Sequence, residues 1–182
     1  TPQSGSVRVL GTDLAPLSGA ARDRFRGDNI GFIFQMFNLL PYLGVLENVL
    51  LPLQFSAARA ARIAGGDPSS EARRLLAAIG LGSDDLLQRP VTELSIGQQQ
   101  RVAIARALAH GPEVVFADEP TGNLDTDTAD RVMRILGSWK EQSKDHSLIM
   151  VTHDVKLASR YGEHFLLLEN GDLKVALSER EL

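Results

Sequence analysis

The chain has 182 residues, 43% of them hydrophobic and 23% charged, enough for one domain with a sizeable core and too apolar for a disordered chain. A formal net charge of -4 gives no overall attraction to nucleic acid, and the absence of cysteine excludes disulfides and thiolate metal sites. No apolar run reaches the roughly 18 residues of a membrane helix, and Thr1 to Arg8 shows no signal-peptide core, so the expectation is that any membrane role runs through a partner.

In chain order, Val7 to Leu10 and Ile30 to Gln35 read as strands. Between Met36 and Gly111 the signal is mostly helical. One helix is expected from Glu71 to Ile79, stopping at Gly80, and a longer one from about Gln98 to Ala109, stopping at Gly111-Pro112. Ser56 to Ser70 is rich in Ala, Gly and Ser and reads as a turn. Val114 to Ala117 is short, apolar and β-prone, which marks a buried strand. From Thr126 the period changes: Val132, Ile135, Leu136 and Trp139 fall at i, i+3, i+4 and i+7, the stripe of an amphipathic helix. A second apolar strand follows at Leu148 to Val151. Phe165 to Glu169 and Leu173 to Ala176 then flank Asn170-Gly171, a tight-turn pair, and predict a hairpin.

The strand, helix and strand from Val114 to Val151 form a βαβ unit, whose two strands run parallel and end on the same edge. Asp118 and Glu119 follow the first strand and His153 follows the second, so all three are expected at the edge where open α/β sheets bind ligands. A lone Asp-Glu pair is more often a solvated loop and a lone histidine a surface residue; convergence on one edge raises the functional reading of each. In "ELSIGQQQRVAIARAL", Ser95 with Gln98 three residues on fits a capping box. The same Ser95, Gly97 and exposed N–H groups at a positive helix end also suit an anion, so both readings stand at this point.

Here the sequence resembles a known family. "LSIGQQQRVAIARAL" is similar to the signature motif of ABC-type ATPases, "VVFADEPTGNLD" to their Walker B strand with catalytic glutamate and D-loop, and "IMVTHD" to their switch-histidine segment. "GFIFQ" resembles the strand entering the Q-loop. The four motifs occur in the family's order and spacing, over essentially the whole chain. The fold implied is α/β, a P-loop NTPase-like, mostly parallel sheet core at 1–36 and 112–182 with an inserted α-helical subdomain at 37–111.

The resemblance implies ATP and Mg2+ as cofactors, with Asp118 and Gln35 toward the metal, because hard cations take oxygen ligands. It implies Glu119 as the base that orients water and His153 as a contact to the γ-phosphate. Gln35 is implied as the nucleotide sensor, Asp125 as part of a subunit contact, and Ser95, Gly97 and Gln98 as contacts to nucleotide held by an opposite subunit in a two-fold dimer. Arg101 and Arg106 read as structural or interfacial, and Trp139 as helix packing. Ile96 stands where the family usually has glycine, which is costly if the backbone there needs positive φ.

The larger departure is the phosphate loop. G-x-x-x-x-G-K-[ST] is absent, and none of Lys140, Lys144, Lys156 and Lys174 follows a glycine. "TPQSGSVRVLG" resembles the family segment just after the phosphate-loop helix, so the expectation is that the N-terminal strands and phosphate loop are missing and that these residues alone do not hydrolyse ATP. "FQMFNLLPYLGVLENVLLPL" with "TGNLD" looks most like ATPase subunits of lipoprotein-release and macrolide-export systems. That likeness implies an ATP-binding subunit on the cytoplasmic side of the cell membrane, powering export through a separate membrane permease. Phe37, Leu39, Leu40 and Tyr42 would line the docking groove, or form lobe core. The alternatives are a soluble ABC-type ATPase of translation or DNA maintenance, although no basic face favours nucleic acid, or a non-hydrolysing regulatory fragment.

Overall fold

A computed structural model describes residues 5–54, 59, 61, 63, 67–122 and 124–177. Its centre is a three-stranded sheet of β3 (Ile30–Ile33), β4 (Val114–Asp118) and β5 (Ser147–Val151), with β4 in the middle. Both pairings are parallel, Ile33 opposite Ala117 and Asp118 opposite Val151, so the three strands end on one edge as the βαβ pattern requires. Two antiparallel hairpins flank it in sequence: β1 (Arg8–Val9) with β2 (Thr12–Asp13), and β6 (Phe165–Glu169) with β7 (Asp172–Leu177). Asn170 and Gly171 join the second pair with φ of 52° and 88°, the double left-handed turn that matches strand twist.

Helices occupy the connections. They are α1 (Gly19–Asn29), α2 (Val45–Gln54), α3 (Pro68–Ala78), α4 (Asp84–Gln88), α5 (Ile96–Leu108), α6 (Thr126–Glu141) and α7 (Val155–Tyr161), with a 3-10 turn at Val91–Glu93. Most of α5 is inside the protein: Val102, Ala103 and Ile104 have no exposed surface, and Ala105, Ala107 and Leu108 are buried with them. It packs on α2, α3 and β3, and more lightly on α6. Gly31 makes the β3 contact possible, because a Cβ there would stand 2.6 Å from the Ala107 carbonyl oxygen. In α6 the buried stripe is Val132, Met133, Leu136 and Trp139, with Ile135 at its margin.

Several elements differ from the expectations. The strand starting at Ile30 stops at Ile33, so Phe34 and Gln35 already belong to the following turn. The helices α1 and α7 lie where no element was expected. The turn expected at Ser56 to Ser70 falls partly outside the described residues, and its end is corrected. Asp67 caps a helix, accepting hydrogen bonds from the N–H groups of Ser69 at 3.0 Å and Ser70 at 3.1 Å, with Pro68 at the first helical position. Among the described residues no helix is long and apolar enough to cross a membrane.

Candidate functional site

The site grows out of the end of β4. Asp118 is its last residue, and its exposed carboxylate makes no hydrogen bond or ion pair among the described residues. The backbone then turns: Glu119 has φ of 46°, a left-handed conformation uncommon for glutamate. Two backbone bonds hold it there, Glu119 N–H to the Val151 carbonyl at 2.9 Å and Gly122 N–H to the Glu119 carbonyl at 3.2 Å. The turn carries the Glu119 side chain across to the end of β5. There its Oε1 accepts the His153 backbone N–H at 3.1 Å and lies 2.6 Å from His153 Nδ1, while Oε2 is 3.5 Å from the Thr152 hydroxyl.

The pair is asymmetric in exposure, with 15% of the Glu119 side chain and 83% of the His153 side chain open to solvent. The hydrogen bond from the imidazole to Glu119, and then the charge of Glu119, raise the His153 pKa above the usual histidine value. Asp118 and Glu119 at one strand end, with His153 at the next, are thus brought together as expected from the parallel register. Gln35 is exposed two residues past the end of β3, at the same edge, without a contact to these three.

The start of α5 forms a second part. Ser95 Oγ accepts Gln98 N–H at 3.3 Å and Gln98 Oε1 accepts Ser95 N–H at 2.9 Å, a complete capping box. Ile96 is the first helical residue, is 58% exposed, and is not among the residues with positive φ, so the strain that glycine would relieve does not arise. Gly97 packs against the next loop: a Cβ there would meet Leu124 Cδ2 and Thr128 Cγ2 at 3.6 Å. Asp125 caps α6, accepting the Thr128 N–H at 2.9 Å and hydroxyl at 2.7 Å. Those hydrogen bonds hold its carboxyl below the ordinary carboxylate value.

Gln100 and Asn48, two polar side chains that shape the site, were not anticipated, whereas Arg106 and Arg101 act structurally as expected. Buried Gln100 donates from Nε2 to the Pro120 carbonyl at 2.8 Å, tying α5 to the turn that holds Glu119. The available signal was its place on one stripe with Ala103, Ile104 and Ala107, since a glutamine on a buried stripe needs a partner. Arg106 donates to the carbonyls of Phe37 at 2.7 Å and Asn38 at 2.6 Å, two residues in left-handed backbone with φ of 58° and 51°. Asn48, fully buried, accepts Leu40 N–H at 2.8 Å and donates toward the carbonyls of Leu40, Leu43 and Gly44. Arg101 binds the carbonyls of Ile79 and Gly97 at 2.7 and 3.2 Å.

The donor set suits a magnesium ion held jointly with a ligand. Among the described residues no three His, Cys, Asp or Glu gather as a metal cage, whereas Asp118 offers one unengaged hard carboxylate. Mg2+ characteristically takes one or two carboxylates and completes its shell from phosphates and water.

A parallel sheet with a carboxylate pair and histidine at its C-terminal edge, beside a capped helix start, defines the class as an open α/β domain with a ligand edge. A sequence profile described as "ABC transporter" matches residues 1–122. The lipoprotein-releasing system ATP-binding protein LolD of Anaeromyxobacter dehalogenans is 48% identical over 159 residues, which is 87% of this chain and 64% of that protein. The macrolide export ATP-binding/permease protein MacB of Syntrophobacter fumaroxidans is 43% identical over 162 residues, 86% of this chain and 21% of that protein. A solved dimer of the ATP-binding cassette MJ0796, in a post-hydrolysis state bound to ADP and Pi, superposes with a TM-score of 0.85 at 35% identity, covering 100% of this chain and 76% of that one.

The chain belongs to the ABC transporter family as an ATP-binding domain, of the lipoprotein-release and macrolide-export type. It spans about two thirds of the length of the LolD relative.

Proposed function

We propose that the protein is the ATP-binding subunit of an exporter, coupling ATP hydrolysis to movement of a substrate through a separate membrane permease from the cytoplasmic side. The observation that carries this is the Glu119 carboxylate held at the β4 edge against His153. In this reading Asp118 and Gln35 would hold Mg2+, which would supply charge neutralisation to the nucleotide phosphates. Glu119 accepts a proton from the attacking water and fixes its direction. His153, bonded to Glu119, keeps that carboxylate aimed and presents its ring to the terminal phosphate. Ser95, Gly97 and Gln98 serve the γ-phosphate of a second, identical subunit, with Asp125 at the contact between the two.

The core at 1–36 and 112–182 carries the nucleotide half-site, and the helical subdomain at 37–111 meets the permease. The segment following Gln35 supports the docking role. Arg106 holds it at Phe37 and Asn38 and Asn48 holds it at Leu40, Leu43 and Gly44; between these anchors it displays Tyr42, 76% exposed, and just before them Met36, 79% exposed. No Gly-Lys-Ser or Gly-Lys-Thr occurs in the 182 residues, so on this reading the phosphate cradle must be supplied for turnover. In the complete protein, Glu119→Gln abolishes ATP hydrolysis while a dimer persists in the presence of MgATP, read by phosphate release and gel filtration. Ordinary turnover by that variant removes Glu119 from its role.

A further inference from the structure

A cavity of about 660 Å3 opens between α3, the C-terminal end of α5 and α6. Its size is that of sites for small organic ligands, about 300–1,000 Å3. It lies far from the nucleotide edge: α5 is capped by Ser95 at the site and reaches the cavity only at Leu108, roughly 20 Å away by helical rise.

Among the described residues its lining combines an apolar floor with one unmatched positive charge. Leu75, Leu108, Ile135 and Trp139 supply the floor. Arg74 and Arg134 line it as well. Arg74 is already engaged, its Nε and Nη2 forming a fork on Glu71 at 2.7 and 2.6 Å. Arg134 has neither hydrogen bond nor ion pair among the described residues. A free guanidinium beside apolar surface is the arrangement that recognises a planar anion carried on an apolar body.

Trp139 forms part of the wall and is itself only 5% exposed. Its own backbone carbonyl is taken twice, by Gln142 N–H at 3.2 Å and by His146 Nδ1 at 2.7 Å. A carbonyl only accepts, so His146 carries its proton on Nδ1, and its ring lies flat on the indole at 4.5 Å between centroids. This stack rigidifies one wall of the cavity.

We propose that this cavity binds a small amphipathic anion, an aromatic or aliphatic body bearing one carboxylate, sulfonate or phosphate group, with the anion on Arg134 and the body against Trp139. Because three helices form the walls, occupancy stabilises their mutual packing by linkage.

The probe is 1-naphthoate, and the reporter is the emission of Trp139, the one tryptophan of the sequence. The protein is titrated with 1-naphthoate and with neutral 1-naphthalenemethanol, and the Trp139→Phe variant assigns the signal. A saturable change with 1-naphthoate is expected, with a rise in melting temperature and affinity about tenfold or more weaker in Arg134→Gln, since a charged hydrogen bond is lost. The neutral analogue is expected to bind comparably weakly, and Ser138→Leu, which places bulk in the lining, to abolish the signal. Absence of a saturable change overturns the proposal. So does equal affinity for the neutral compound, or an unchanged affinity in either Arg134→Gln or Ser138→Leu.

Discussion

Glu119 adopts a conformation that costs a non-glycine residue on the order of 1–3 kcal/mol. The surroundings impose it through the Val151 and Gly122 backbone bonds, and the result is a carboxylate aimed across two strands at His153. The histidine titration follows from that contact. A raised folded-state pKa means that the pair stabilises the fold fully below the unfolded value of about 6.5, and that the contribution is lost as pH rises through the folded pKa. In metal-free, nucleotide-free protein, an NMR titration therefore finds the His153 midpoint above about 6.5. Glu119→Gln returns it downward; an unmoved midpoint in that variant contradicts the pairing. Asp118, Glu119 and His153 were legible because parallel strands must end together, which is a property of pattern. Gln100 and Asn48 were not, nor were the partners of Arg106, read as structural or interfacial, because each bonds to a backbone carbonyl whose position exists only after the chain has folded.

The helices α5 and α6 announce themselves by apolar stripes that are buried in the fold. Neither α1 nor α7 buries a single residue, so there is no stripe to read, and only local caps at Ser18 and Asp154 mark them. The strand β3 ends at Ile33, and the chain then reaches the left-handed pair Phe37-Asn38, which Arg106 holds from a distant helix. The closest packing of elements lies between β3 and α5. Gly31→Ala would press a methyl group on the Ala107 carbonyl at 2.6 Å and on the Pro112 and Val115 side chains at 3.2 Å. Neither a buried helix nor a strand yields cheaply, so the variant is expected to lose about 1–3 kcal/mol in urea unfolding. A midpoint equal to the parent's refutes the tight contact.

Over the whole molecule, β4 sits between β3 and β5, while β5 pairs on one side only among the described residues. Its Ile149 and Val151 side chains are 47% and 58% exposed. The proposed chemistry sits at this same end of the sheet, and a metal ligand without a phosphate cradle has little to hold a nucleotide against water. Isothermal titration of the 182-residue chain with MgATP is therefore expected to show no tight binding; a strong heat signal would overturn that expectation. The family was legible from four motifs in order, each a local string. The cavity beside Trp139 was not, because it arises where three separate helices meet.

Through the Gln100 amide, the start of α5 and the Glu119 turn behave as two ends of one lever. Ser95 opens the helix, and little more than a turn later Gln100 grips the peptide next to Glu119. The helix beyond that start lies inside the core, so the turn that carries the carboxylate is fastened to the buried framework by a single side chain.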